Sequence, residues 1–369
     1  MNLHTQPASK PVVVDMPQGR AADLTRTLRC GVIGVGRMGR HHARKYAGLP
    51  GVKLVGVVDA DEDRRATSME ANGCEGFADV ESLLKAGVDA VSIATPTTHH
   101  VACAAPLLEA GVACLIEKPL ASDEAEARTL VELSERTGTV LMVGHIERFN
   151  PAVLALQRAQ TADRARGGPG LVPRFIEITR VSPMTFRSVD VSVVMDMMIH
   201  DLDLVLMLMD GEEPVSVEAS GVAVLTEHED VCNARLAFKR PQGRCVANVT
   251  ASRLAMKTER KIRIVGENGY VSIDFVKKSG VLIRRTANQV QMQEIREALR
   301  NGADLSSLDY GNLVAVEPLQ IDEADQLELE IKAFLDAVRS KAKPAIDARA
   351  GFSNVRTAQR IMAEARKDW

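Results

Sequence analysis

The segment GVIGVGRMG at residues 31–39 constrains this chain more than any other stretch. An apolar run, Cys30–Val35, leads into it and a helical pattern, Met38–Ala47, leads out, with glycine at 34, 36 and 39. A strand that passes through glycine straight into a helix is the first βα turn of a dinucleotide-binding unit. Gly34 permits the tight turn, Gly36 lets the backbone approach a pyrophosphate, and Gly39 lets helix and strand pack closely. The unbonded N–H groups at the helix start then face the phosphate charge. Asp59 lies twenty residues past Gly39, at the end of the next apolar run. Its carboxylate suits the adenosine ribose hydroxyls and repels a 2′-phosphate, so the pattern predicts NAD rather than NADP. Gly34, Gly36, Arg37, Met38, Gly39 and Asp59 are the predicted cofactor contacts of this turn, while Arg64 and Arg65 read as a solvated face of the second helix.

The alternation continues downstream. Strands Cys30–Val35, Lys53–Val58, Ala90–Ala94, Ala113–Ile116 and Val140–Val143 interleave with helices Met38–Ala47, Asp61–Ala71, His99–Ala110 and Ser122–Arg136. Such βα repeats build a parallel sheet. Ser122 opens an acidic first turn, and Gly111 and Gly138 close their helices. The stretch TADRARGGPGLVP, 161–173, reads as a loop or linker. Beyond it RFIEITRV, PVSVEASGVAVL, VCNARLAF, RCVANVTASRL, KIRIVG and YVSIDF are strand-like and separated by turns such as Glu267–Asn268–Gly269, the pattern of an antiparallel sheet. One helix interrupts them at about 190–209. Leu327, Ile331, Phe334, Leu335 and Val338 form one apolar helical face, and a last helix over 351–366 packs back on the body. The predicted fold is an α/β Rossmann domain with a parallel sheet, followed by an α+β C-terminal domain with an open, largely antiparallel sheet. The expected boundaries are 1–27, a flexible extension; 28–150, the NAD-binding domain; 151–350, the substrate-binding and oligomerisation domain; and 351–369, the C-terminal helix.

Length and charge narrow the partners. The 369 residues suggest two domains, and 46 basic against 49 acidic residues leave a net charge of −3, so no field draws the chain to nucleic acid or an anionic membrane. Aromatics at 3% leave few rings for stacking on bases. The six cysteines form no CxxC pair, which predicts reduced thiols, neither a zinc site nor a disulfide framework. With no long apolar run and no signal-peptide core, the expectation is a cytoplasmic protein without membrane or metal.

Two constellations carry chemistry. ATPTTHH, 94–100, and IEKPL, 116–120, place Thr95, Pro96, His99, Glu117 and Lys118 at the carboxyl ends of parallel strands, where ligands bind in such sheets. Lys118 can donate to a substrate hydroxyl or alkoxide, and burial beside a nicotinamide cation favours the neutral amine of a base. The helix VVMDMMIHDLDLVLML sets Asp196 and His200 at i, i+4, with Asp203 three residues on. These are expensive to bury among Met, Leu, Val and Ile. They read either as a general acid/base histidine oriented by Asp196, as a buried histidine capped by a carboxylate, or as metal ligands, although no second segment completes a ligand set.

The motifs resemble the glucose–fructose oxidoreductase/inositol dehydrogenase/MocA (Gfo/Idh/MocA) family. GVIGVGRMGRHHA, VVDAD, ATPTTHH, IEKPLA, GHIERFNP and MDMMIHDLD occur in that family's order over about residues 29–366. The resemblance implies that Lys118 is the lysine of the EKP motif, that Asp196 and His200 are the catalytic pair, and that the Lys118–Pro119 bond is cis. It also implies a homodimer or homotetramer built through the C-terminal sheet. GHIERFNPAV and TRVSPMTFRSVDVSVVMDMMIHDLD look like the nucleotide-sugar subgroup, which implies oxidation of UDP-N-acetylglucosamine or a related UDP-amino sugar at the 3-hydroxyl. Ser182 and Ser192 depart from the glycines more usual there. Arg148, Asn150, Arg180, Arg187 and Asp203 are the predicted substrate contacts, because a guanidinium binds phosphate oxygens in a bidentate fork. The alternatives are an inositol, polyol or free-sugar dehydrogenase of the same family and, outside catalysis, a nonenzymatic NAD-binding redox sensor. A sensor needs no acid/base set.

Overall fold

A computed structural model describes residues 26–165, 170–186, 189–287, 289–304 and 310–367. Nearly all of the 1–27 extension, and Arg187, lie outside the described residues. The chain runs β1 (Leu28–Ile33), α1 (Gly39–Gly48), β2 (Val52–Val58), α2 (Glu62–Asn72), β3 (Glu75–Phe77), α3 (Val80–Ala86), β4 (Ala90–Ile93), α4 (His100–Glu109), β5 (Ala113–Glu117), α5 (Glu124–Thr137) and β6 (Leu141–Gly144). It continues with α6 (Pro151–Ala165), β7 (Pro173–Val181), α7 (Ile199–Leu208), β8 (Ser216–Val222), β9 (Val231–Arg240), β10 (Gly243–Ser252), β11 (Glu259–Gly266), β12 (Gly269–Asp274), β13 (Ser279–Arg285), α8 (Gln289–Arg300), β14 (Val314–Pro318), α9 (Gln326–Ser340) and α10 (Ala348–Ala365).

Two compact units are not contiguous in sequence: one holds Met1–Phe149, Leu202–Glu213 and Ala324–Arg360, the other Asn150–Asp201, Pro214–Glu323 and Ile361–Trp369. This differs from the unbroken spans 28–150 and 151–350. The apolar stripe of α9 explains the return of the chain, because Leu327, Ile331, Phe334 and Leu335 join the core of the parallel sheet with Val32, Ile93 and Ile116.

In the first unit all six strands are parallel in the order β3-β2-β1-β4-β5-β6. The order reverses between β1 and β4, the point where such sheets bind dinucleotides. The five expected strands are present with no end shifted by more than two residues. The sequence reading lacks β3 and α3, since three and seven residues give too little periodicity. The start of α5 is a correction: its cap is Asp123, not Ser122, and the Asp123 carboxylate accepts the Glu126 N–H at 2.8 Å.

The second unit holds eight strands in the order β14-β13-β12-β11-β7-β10-β9-β8. All neighbours are antiparallel except β7 and β10, which run parallel. Along β9 and β10 the apolar Cys232, Ala234, Leu236, Ala247, Val249 and Ala251 are buried. The alternate residues are polar rungs, Asn233 bonding Thr250 at 2.7 Å and Arg235 bonding Asn248 at 3.0 Å. The expected loop at 161–173 is helical through Ala165, its polar first residues continuing α6.

Candidate active site

The glycine turn is built as a backbone cradle. Gly34 has φ +80°, and a Cβ there would lie 2.8 Å from the Thr95 nitrogen; a Cβ on Gly39 would lie 1.7 Å from the Gly34 carbonyl oxygen. Over Gly36 the nearest atom is an Arg64 nitrogen at 3.7 Å, so the backbone is open to a ligand. Helices α2, α3, α5 and α9 start on Asp61, Asp79, Asp123 and Asp325, each accepting a first-turn N–H. Helix α1 has no side-chain cap and no acid in its first turn; its Arg40 and His41 N–H groups bond the Gly36 and Met38 carbonyls at 3.2 and 2.8 Å, and the positive end of the helix dipole is left uncompensated for an anion. Asp59 accepts the N–H of Val35 at 2.8 Å and of Asp61 at 2.9 Å, so the carboxylate is fixed at the end of β2. These residues fit the pyrophosphate and ribose of NAD. Arg37 is exposed and Met38 half-buried at the same turn. Arg64 pairs with Asp61 at the surface, but Arg65 is mostly buried and donates to the Asp59 carbonyl at 2.6 Å, so it is more than a solvated face.

Across the switch point, Thr95 is half-buried while Pro96 and His99 are exposed around a single 3-10 turn. Buried His100 joins the two strand-end segments, its ring nitrogens lying 3.1 Å from the Thr95 carbonyl and 3.2 Å from the Leu120 carbonyl. Glu117 ends β5 and turns inward: Oε1 lies 3.0 Å from His42 Nε2, and Oε2 accepts the Lys118 backbone N–H at 3.3 Å. His42 Nδ1 is 3.0 Å from Ser92 Oγ, which is 2.8 Å from the Tyr46 hydroxyl. Burial pushes the Glu117 carboxyl up, but the His42 hydrogen bond and the Lys118 charge outweigh it and hold it below its ordinary value. Lys118 is half-buried, and the Lys118–Pro119 bond is cis.

In the second unit Asp196 and His200 are half-buried on one continuous helical segment. Asp196 lies in a single π-helical turn, Val194–Met198, that leads into α7, a local widening common at functional sites. The sequence predicts only a regular helix there. Ser192 is the start of the segment: its hydroxyl accepts the Val194 N–H at 3.1 Å and its carbonyl accepts those of Met195 and Asp196, both at 3.1 Å. Serine therefore serves as a cap where glycine is more usual. Arg253 donates to the Val191 carbonyl at 2.6 Å and steadies the same entrance.

Two of the predicted substrate anchors already hold partners within the chain. Arg148 grips Asp203 in a bidentate fork, Nε and Nη2 at 2.7 and 2.6 Å, with both side chains buried. Arg180 does the same to Asp201 at 2.8 and 2.9 Å. Carboxylates at 201 and 203 on an apolar helix cannot be buried as ions without a cation, and the two arginines are those cations. Asn150 accepts the Ala152 N–H at 3.0 Å and caps α6 ahead of Pro151. Three groups go unnoticed in the sequence: His42, His145 and Glu330. Both ring nitrogens of buried His145 and both oxygens of Glu330 find no hydrogen-bond partner among the described residues. Glu330 carried a signal, since it interrupts the apolar stripe of α9 between Leu327 and Phe334.

Residues 28–145 match the model of an oxidoreductase family's NAD-binding Rossmann fold, and residues 188–368 match that family's C-terminal alpha/beta domain. The chain is 38% identical over 325 residues to UDP-N-acetylglucosamine 3-dehydrogenase of Acidithiobacillus ferrooxidans, a match covering 88% of this chain and 93% of the relative. A solved structure of that enzyme superposes with a TM-score of 0.78 at 36% identity, covering 91% of this chain and 97% of the other. Inositol 2-dehydrogenase of Rhizobium meliloti is 29% identical over 252 residues, covering 67% and 76% of the two chains.

Proposed function

The chain belongs to the Gfo/Idh/MocA family of NAD-binding oxidoreductases, and from that premise we propose that it oxidises the 3-hydroxyl of UDP-N-acetylglucosamine, or of a related UDP-amino sugar, to a ketone. The observation that carries this reading is the 38% identity, over 88% of the chain, to an enzyme named for that reaction. NAD, when bound, accepts the hydride from the sugar carbon. The chain's own residues do the rest. Gly34, Gly36, Gly39 and the uncapped start of α1 hold the pyrophosphate, and Asp59 takes the ribose hydroxyls. The hydroxyl proton must leave as the hydride does, and Lys118 and His200 are its candidate acceptors, with Asp196 orienting the imidazole.

Arg148 and Arg180 are occupied by Asp203 and Asp201 and leave Arg187, of the three arginines, as the one assigned to the diphosphate. No helix among the described residues is long and apolar enough to cross a membrane. A cytoplasmic setting is supported by the six cysteines, all free thiols. Assembly as a homodimer or homotetramer is part of the reading and rests on the family resemblance. The apolar residues of β9 and β10 do not support it, because they face inward.

The test is incubation with NAD and, separately, UDP-N-acetylglucosamine, free N-acetylglucosamine, glucose and myo-inositol, followed by NADH absorbance and mass spectrometry. The expected result is NADH with a UDP-sugar product lighter by two hydrogens. Binding energy from the nucleotide should position the ring, so the free sugar should react far more slowly. Oxidation of myo-inositol or glucose at an equal or higher rate would transfer the assignment to the polyol dehydrogenases.

A further inference from the structure

Glu330 sits in the middle of the apolar stripe of α9 and is fully buried. A carboxylate in that position, with neither oxygen hydrogen-bonded to a described residue, has surrendered its hydration without replacement, which costs an ion several kcal/mol, on the order of the buried-ion penalty. The charged and titratable groups around it and around its neighbours Glu117 and Asp203 belong to four elements. Helix α1 contributes His42 and Tyr46, β5 contributes Glu117 with Lys118 after it, the segment following β6 contributes His145 and Arg148, and α7 contributes Asp203. Neither cation is available to Glu330, since Arg148 is forked onto Asp203 and Lys118 lies beside Glu117.

Three side chains offer polar atoms within 4.8 Å of one another: His42, Glu117 and Glu330. A metal ion does not suit this set. His42 uses both ring nitrogens, at 3.0 Å to Ser92 and 3.0 Å to Glu117, and retains no lone pair for coordination. The depressed, ionised Glu117 carboxylate sets the direction of the protons along these contacts. An ionised Glu117 takes the Nε2–H of His42, whose Nδ1 then accepts from Ser92, whose oxygen accepts from Tyr46. Every donor in that chain points toward Glu117. A second carboxylate facing it across less than 4.8 Å can complete the pattern only as one more donor.

We propose that Glu330 is a neutral carboxylic acid that presents its proton to Glu117, across a gap that one water spans, and is the positioning residue for the Glu117 carboxylate and the Lys118 backbone that it holds. Burial, then the charges of Glu117 and Asp203, push the Glu330 carboxyl well above the ordinary carboxylate range, in the same direction. The consequence for Lys118 rests on the dehydrogenase reading; the protonation of Glu330 does not.

Infrared difference spectra of the full chain against Glu330→Gln at neutral pH, without substrate, test the protonation directly. The expected result is a protonated-carboxyl carbonyl band in the parent that the variant lacks. Carboxylate bands in its place would overturn the proposal, whatever the chain oxidises. The positioning role is read kinetically with the confirmed substrate. Glu330→Leu, which keeps no donor, should lower kcat about tenfold, with KM for NAD within about twofold. Glu330→Gln, a neutral donor of nearly the same shape, should recover most of that loss. Equal losses in both variants would show that the donor on Glu330 does not act on Glu117.

Discussion

Arg148 and Asp203 provide a sharp test, because two roles for the same arginine predict opposite measurements. In the structure the pair is bidentate at 2.7 and 2.6 Å, with side-chain exposures of 6% and 1%. Arg148→Met leaves the Asp203 carboxylate buried and uncompensated, and breaking such a pair costs about 3–5 kcal/mol. At roughly 2–4 °C per kcal/mol for a unit of this size, Tm should fall by about 6–20 °C. The pH dependence follows from the carboxylate. Burial pushes Asp203 up, but Arg148 and its other partners hold it below its ordinary 3.8, so its stabilisation is present above that value and is lost as pH falls through the depressed one. Without Arg148 that sign reverses. Asp203 would protonate more readily, and the deficit of Arg148→Met should shrink as the buffer is taken from neutrality toward pH 5, roughly the lower edge of the usual stability plateau. Replacing both partners, Arg148→Met with Asp203→Leu, removes both buried charges and should restore most of the stability, giving a coupling energy of about 2–3 kcal/mol in a double-mutant cycle. Urea unfolding of the four chains measures it. If Arg148→Met kept the parent's midpoint and instead raised KM for the UDP-sugar, the arginine would be a diphosphate anchor and the argument from burial would be wrong.

Other outcomes follow from the same geometry. Gly39→Ala forces a Cβ to within 1.7 Å of the Gly34 carbonyl, so calorimetry should show NAD binding lost or severely weakened; affinity within threefold of the parent at unchanged Tm would contradict the close packing. Asp59→Ser should narrow the preference for NAD over NADP, and an unmodified chain that binds NADPH more tightly than NADH would remove the ribose assignment. Lys118→Ala and His200→Ala should each lower turnover by about a hundredfold, the usual worth of a positioned acid or base, and wild-type turnover in His200→Ala would clear that helix of a catalytic role. Glu330 in the native chain keeps a proton that the unfolded chain releases above its ordinary 4.5. Native stability should therefore fall with rising pH from that point by up to about 1.4 kcal/mol per unit relative to Glu330→Gln, a gap that thermal melts at several pH values can follow.

The parallel half of the fold was legible because its signals are local. Glycines at 34, 36 and 39, an acid at 59 and a period-two to period-3.6 alternation each act within a few residues. What stayed hidden depended on partners distant in sequence. Nothing local to Arg148 or Arg180 says that Asp203 and Asp201 will be buried against them, so the two arginines read as free forks for phosphate. Their carboxylates were visibly costly on an apolar helix, and asking what neutralises them would have found the pairs. The π-turn around Asp196 is invisible to a 3.6-residue template that one extra residue barely disturbs. β3 is too short for any pattern, and α8 scatters Val290, Met292, Ile295 and Leu299 among glutamines and charged residues. Glu330 is the opposite case: an acid inside an apolar stripe is a plain local signal of a buried carboxyl, and only its partners lie far off in sequence.

The return of residues 324–360 to the nucleotide-binding unit bears on how that unit is born. Lys45, on α1, reaches Glu328 at 3.0 Å and Asp325 at 2.7 Å, across 283 positions to Glu328. A ribosome that has just released residue 150 has delivered every strand of the parallel sheet and none of α9. At about 5–20 residues per second, roughly 10–40 s pass before that helix emerges. During this interval the face awaiting Leu327, Ile331 and Phe334 is bare, and the nascent sheet is an apolar surface in search of a cover. An N-terminal fragment ending near residue 150 should therefore precipitate instead of folding as a small cofactor-binding module, and adding residues 324–360 in trans should keep it in solution.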